Sequence, residues 1–110
     1  PANNYQREQA MSLSKQYLKT KPVCKVTFVV PAVQAAEAAS VAVLGEFNDW
    51  QATELKKQKN GDFATTLTLP TDQEFQFRYL LNGEIWQNDD AADAYVPSPL
   101  CYEENSVLRV

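Results

Sequence analysis

The sequence contains no histidine. That removes the commonest general base and the commonest metal ligand together, and with them any Ser-His or Cys-His nucleophilic pair. Its three glycines, Gly45, Gly61 and Gly83, are isolated from one another, so no glycine-rich loop can cradle a phosphate. Two cysteines, Cys24 and Cys101, make neither a disulfide framework nor a zinc pattern. No cofactor or metal is implied. No apolar run approaches the roughly 18 residues that a membrane span needs, and no signal peptide is visible. A cytoplasmic location with reduced thiols is the default expectation. Positive charge is also short: 10 Lys and Arg against 14 Asp and Glu give a net −4. Nucleic acid, which requires a basic face, is not an expected partner.

What is present is enough for one core. The 110 residues are 45% hydrophobic and include two Trp, five Tyr and five Phe, the supply of a single domain with rings to spare for a surface. The charge is uneven. Residues 1–25 carry Arg7, Lys15, Lys19, Lys21 and Lys25 against Glu8 alone, which leaves them at +4 and the other 85 residues at −8. The basic start reads either as a solvated helix face or as a surface that docks on another copy or an acidic partner. Acidic neighbours occur, Asp89 with Asp90 and Glu103 with Glu104. On exposed loops they read as solvated acids rather than the opposed carboxylates of a glycosidase. Asn88, Asp89, Asp90 and Asp93 miss the spacing of a calcium loop.

Along the chain, Ala10, Leu13 and Tyr17 fall at helical spacing, widened by Met11 and Leu18. Residues 4–19 are therefore predicted as a helix that Pro22 stops. Residues 1–22 form an N-terminal helical extension and 23–110 the main domain. From Val23 the period becomes 2, with Val26, Phe28 and Val30 alternating with Lys25, Thr27 and Val29. Residues 32–39 are a loop or one helical turn. Further strands are expected at 40–44, 53–58, 63–69, 75–81, 84–87, 94–96 and 106–110. Asn60-Gly61 and Asn82-Gly83 read as two-residue hairpin turns. Arg78 alternates with Phe77 and Tyr79, so it points away from the core. About seven short strands with turn signals between them indicate an all-β, antiparallel sandwich.

Two motifs are more specific. Leu44-Gly45-Glu46-Phe47-Asn48-Asp49-Trp50 and Phe75-Gln76-Phe77-Arg78-Tyr79-Leu80-Leu81-Asn82-Gly83-Glu84-Ile85-Trp86, separated by a hairpin, resemble the isoamylase N-terminal-like carbohydrate-binding modules. That group includes the glycogen-binding domain of the AMP-activated protein kinase beta subunit and the early-set domains of branching and debranching enzymes. The resemblance covers about residues 23–110, and the whole chain looks most like small stand-alone bacterial members. It implies an immunoglobulin-like early-set sandwich that binds α-glucan (glycogen, starch or maltooligosaccharide) without catalysis. On that resemblance the sugar contacts fall on Trp50, Arg78, Trp86, Asn105 and Leu100. The binding members have one residue fewer after the glycine, which places Ile85 rather than Trp86 at the second tryptophan. Cys101 and Glu103 match the family's contacts poorly.

A glucose ring has an apolar face that packs on an aromatic plane, and hydroxyls that need partners at the rim. Tryptophan gives the largest rigid platform, and arginine and asparagine can serve adjacent hydroxyls. Each residue also has a plain reading. Trp50 and Trp86 can cap the sandwich, and Arg78 can pair with a surface carboxylate. Phe47 belongs to the core, and Asn48 bonds its own loop. The alternative function is an interaction or self-assembly module of the same fold that has lost sugar binding. In that case the N-terminal helix docks on a second copy or on an enzyme of glycogen metabolism.

Overall fold

Alternation decides the architecture. On the strand Val23–Val30 every second side chain, Cys24, Val26, Phe28 and Val30, is fully buried, as a strand with one face on a core requires. The computed structural model describes residues 11–35, 38–98 and 103–110. Among these residues ten strands form an antiparallel sandwich. They are β1 (Ser12–Tyr17), β2 (Val23–Val30), β3 (Val41–Gly45), β4 (Thr53–Glu54), β5 (Lys56–Lys57), β6 (Phe63–Pro70), β7 (Glu74–Leu81), β8 (Ile85–Gln87), β9 (Ala94–Pro97) and β10 (Glu104–Arg109). One helical turn, α1 (Ala32–Ala35), joins β2 to β3, and a 3-10 turn spans Glu46–Asn48. The first sheet runs β1-β2-β6-β5. The second runs β4-β3-β7-β10-β9, with β8 also on β7. No helix among the described residues is long and apolar enough to cross a membrane.

Phe28, Phe47, Phe75, Phe77 and Tyr79 knit the two inner faces together. Phe28 meets Phe77 edge-on with centroids 5.5 Å apart, and Phe47 lies 5.5 Å from Phe28. Such tilted contacts suit the ring quadrupoles. Phe47 packs against the core as expected.

Residues 12–17 are a strand, not the expected helix; residues 4–10 of that helix lie outside the described residues. The hydrophobic stripe there was short enough to satisfy period 2 as well. Leu13 lies opposite Phe28 and packs on the core, while Ser12, Ser14 and Gln16 take the other face. Pairing with β2 over six residues outweighs the local helical preference. The segment is thus part of the first sheet rather than a helical extension.

The single strand expected at 53–58 is two. β4 pairs with β3 in the second sheet and β5 with β6 in the first. The chain changes sheets at Leu55, whose side chain is buried in the core and whose N–H donates to Val41 O at 2.8 Å.

Both Asn-Gly turns hold three residues rather than two. In the first, Gln58 N donates to Asp62 O across Lys59, Asn60 and Gly61. Gly61 alone takes a positive φ, 92°, because the Asn60 carboxamide oxygen accepts Asp62 N–H at 3.0 Å. That local bond holds Asn60 in an ordinary turn conformation. In the second, Leu81 pairs with Ile85 around Asn82, Gly83 and Glu84. Asn82 and Gly83 are left-handed there, at φ 54° and 68°.

Candidate functional site

The outer face of the second sheet is built by register. Gln76, Arg78 and Leu80 of β7 alternate with the buried Phe75, Phe77, Tyr79 and Leu81. Leu44 lies opposite Arg78, and Ala42 opposite Leu80, on β3. Trp86 lies opposite Leu80 on the other side, which puts it on the same face as Arg78, while Ile85 opposes Leu81. The additional residue of the turn is absorbed by Glu84, outside the paired strand, so it does not flip the tryptophan. Trp86 is 45% exposed.

Trp50 is set beyond the end of β3 by a constrained route. At Gly45 a Cβ would come within 2.7 Å of both Gln76 O and the Phe77 Cβ, so only glycine permits β3 to lie this close to β7. Asn48 then latches the loop. Its Oδ1 accepts Gly45 N–H at 2.9 Å, and its Nδ2 donates to Val43 O at 3.1 Å and Thr53 Oγ1 at 3.0 Å. Glu46 accepts Gln76 N–H at 2.7 Å and ties the loop to β7. Asp49 and Trp50 are both left-handed, at φ 57° and 59°, and Trp50 N–H donates to Gly45 O at 2.8 Å. A left-handed residue with a bulky side chain costs about 1–2 kcal/mol, and it persists only where the surroundings over-determine it. The ring so held is 38% exposed.

Gly45→Ala should destabilise the domain by about 1–3 kcal/mol, the usual range for overpacking. Thermal unfolding by circular dichroism checks it, and an unchanged midpoint would remove the close-packing argument.

Arg78 departs from expectation. It points away from the core, but it is only 7% exposed. Its Nε donates to Asn105 Oδ1 at 2.6 Å and its Nη1 to Glu103 Oε2 at 3.0 Å. Asn105 is itself buried and donates to Gln76 Oε1 at 2.9 Å. The guanidinium is a floor rather than an open contact, because a buried charge must be paired. The exposed member of the cluster is Glu103, whose side chain is 69% exposed. Its pairing with Arg78 could not be read from spacing, because 25 residues separate them. Leu100 and Cys101 lie outside the described residues.

Beside this cluster lies a polar knot that the sequence did not reveal. Asp89, expected as a solvated loop acid, is fully buried. Its Oδ2 accepts the Tyr79 hydroxyl at 2.7 Å, and its Oδ1 accepts Ala91 N–H at 2.8 Å. Its own N–H donates to Ser106 Oγ at 2.9 Å, and its carbonyl accepts the Tyr95 hydroxyl. Burial raises the Asp89 carboxyl above the ordinary aspartate value, against the lowering effect of the Tyr79 and Ala91 hydrogen bonds. Burial, reinforced by the Asp89 charge, pushes the Tyr79 phenol well up, so it stays a donor. Asp93 moves the other way. Burial opposes its charge, but Arg109 N–H and Lys15, whose ammonium lies 2.7 Å away, hold the carboxyl below its ordinary range.

These elements coincide with a known pattern. The family of the glycogen recognition site of AMP-activated protein kinase matches residues 33–96. The chain belongs to that family. The match runs from α1 to β9 and includes Trp50, Arg78 and Trp86. No curated protein matches the chain. Among solved structures, the crystal structure of pullulanase type I from Bacillus subtilis str. 168 complexed with maltose shares the fold. It has 22% identity and a TM-score of 0.51, covering 96% of this chain and 14% of that one. The chain thus corresponds to a small part of the length of that enzyme.

Proposed function

We propose that this member of the glycogen-recognition family binds α-glucan without catalysis, on the outer face of the second sheet. The observation that carries the reading is the placement of both tryptophans. Trp86 stands on the Arg78 face, and Trp50 is held on left-handed backbone at the end of the neighbouring strand. Both are partly exposed and suited to stack on the apolar faces of glucose units. Glu103, braced by Arg78, offers the open acceptor oxygens for sugar hydroxyls. Arg78 and Asn105 act beneath it as positioning residues. The absence of histidine and the structural use of Asp89 leave the chain's own residues poorly equipped for hydrolysis. A buried free thiol at Cys24 suits a reducing, cytoplasmic setting.

Retardation in a native gel cast with glycogen tests the reading, together with quenching of tryptophan fluorescence by maltoheptaose. Unretarded mobility with no fluorescence change would reject it. Trp86→Ala should weaken maltoheptaose binding at least about tenfold, equal to about 1.4 kcal/mol. Ile85→Ala, on the opposite side of β8, should change it less than about twofold. Equal losses in a calorimetric titration would refute the face assignment.

A further inference from the structure

The described charges divide by sheet. Lys15, Lys25, Lys56 and Lys57 lie on the first sheet, and Lys19, Lys21 and Lys59 lie on its two hairpin turns. These are all seven lysines of the chain. The only acid on that sheet and those turns is Asp62; Asp72 lies on the connection from β6 to β7, where Thr71 N–H donates to Pro22 O of the β1–β2 turn. The second sheet and its loops carry ten acids: Glu46, Asp49, Glu54, Glu74, Glu84, Asp89, Asp90, Asp93, Glu103 and Glu104; of these, Asp89 is buried, Asp90 accepts from Met11 N–H and Gln34, and Asp93 pairs with Lys15, which leaves seven for the outer face and its rim. Its two arginines, Arg78 and Arg109, are each bonded to a carboxylate. Six of the seven lysines are exposed; Lys15 pairs with Asp93.

The first sheet's outer face is largely polar, with Val29 and Ala64 its apolar pair at one end. Ser14, Thr27 and Thr66 form one row across three strands, with a 2.9 Å bond between the threonine hydroxyls. Gln16, Lys25 and Thr68 form the next row. It carries no aromatic residue. Of the strand lysines, Lys25 and Lys56 stand on this face, in register with Thr68 and Ala64, whereas Lys15 opposes Val26 and Lys57 opposes Phe63 on the core side; with Lys19, Lys21 and Lys59 at the turns, the face offers neither the stacking platform nor the continuous positive track that a nucleic-acid strand needs.

We infer that this basic face docks on the acidic, tryptophan-bearing face of a second copy of the chain, head to tail. The charges choose the geometry. A two-fold dimer packed sheet face on sheet face would set either basic face on basic face or acidic face on acidic face, because an isologous contact uses the same patch twice. Both are repulsive. Stacking the first sheet of one copy on the second sheet of the next is the face-to-face arrangement that joins opposite signs. The face is about 26 Å long and about 19 Å wide from strand length and spacing. That lies at the low end of interface sizes, so the contact is weak, reversible and sensitive to salt. It also covers Trp50 and Trp86. Assembly and glucan binding are therefore competitive, a consequence that rests on the function proposed above.

Charge reversal tests this by complementation. Lys25→Glu/Lys56→Glu disables the basic face, and Glu54→Lys/Glu84→Lys disables the acidic one. All four residues are exposed, so folding is checked simply by circular dichroism. In sedimentation velocity at about 10 mM ionic strength, where screening reaches about 30 Å, the wild type should at least double its weight-average mass as concentration rises. It should return to monomer near 0.3 M salt. Each double variant alone should stay monomeric. Their mixture should associate again, because the intact basic face of one variant meets the intact acidic face of the other and the two reversed faces are also opposite in sign. A wild type that remains monomeric, a salt-insensitive dimer or an inert mixture would each overturn the inference. Excess maltoheptaose should dissolve the wild-type assembly; an assembly that persists in protein saturated with the sugar would overturn the shared face. If the sugar does not bind at all, the glucan reading fails, while the mixing result still decides the docking geometry.

Discussion

Trp50→Ala is expected to weaken maltoheptaose binding by at least about thirtyfold, roughly 2 kcal/mol, the threshold of a binding hot spot. Trp50→Phe should fall between, since the smaller ring keeps part of the platform. The backbone predicts a second route to the same loss. Asn48→Ala leaves the indole in place but removes three loop bonds. It should lower affinity by freeing Trp50 from its left-handed conformation. Near-ultraviolet circular dichroism separates the two cases. The Trp50 signal should become weaker and more averaged in the Asn48 variant, with the β spectrum unchanged. Full affinity in Trp50→Ala, measured by calorimetry, would displace the site from this loop.

Asp89→Ala should carry the largest stability effect in the molecule. It leaves the Tyr79 hydroxyl and Ala91 N–H without their partner, at about 1–3 kcal/mol for each buried group. The melting temperature should then drop by at least about 8 °C, since each kcal/mol moves a domain near this size by about 4–8 °C. Asp89→Asn keeps the shape and lets the amide donate to the Tyr79 oxygen. The sign of its pH dependence follows from the raised carboxyl. A group that holds its proton more tightly when folded adds stability below its unfolded value, and loses it as pH rises through the folded value. The advantage of Asp89→Asn over the wild type should therefore grow as pH rises through that window. Asp93 has the opposite sign: its contribution is present above the ordinary aspartate value and fades as pH falls through its lowered one. Denaturant midpoints of wild type and Asp89→Asn across pH isolate the Asp89 effect. A constant difference would mean that Asp89 does not titrate differently in the folded state.

The sandwich was legible because its strands alternate. Phe75, Phe77, Tyr79 and Leu81 face the core as their spacing requires. The candidate site was legible in part. Trp50 and Trp86 carry local signals, one from its loop motif and the other from its distance past Asn82-Gly83. Arg78 faces outward as its alternation requires, but facing outward is not the same as being open. Its cover comes from Asn105 and Glu103, more than 20 residues away. Asp89 was misjudged for the same reason, since its partners Tyr79 and Ser106 meet it only after β7 and β10 pair. Residues 12–17 were misread as helix because six residues with few large side chains carry too little periodicity to choose, and β2 chose for them.

The turn between β7 and β8 bears on how such a surface can change over time. Glu84 lies between the two left-handed residues and the first strand pair, exposed and outside the ladder. Removing it would leave Asn82-Gly83 as a two-residue turn, with Leu81 still meeting Ile85 and Leu80 still meeting Trp86. Length can vary by one residue at this corner while both side-chain identities keep their sides. The hairpin works as a shim: it admits insertions where they do no harm, and lineages can differ in loop length without forfeiting the orientation of the ring beyond it.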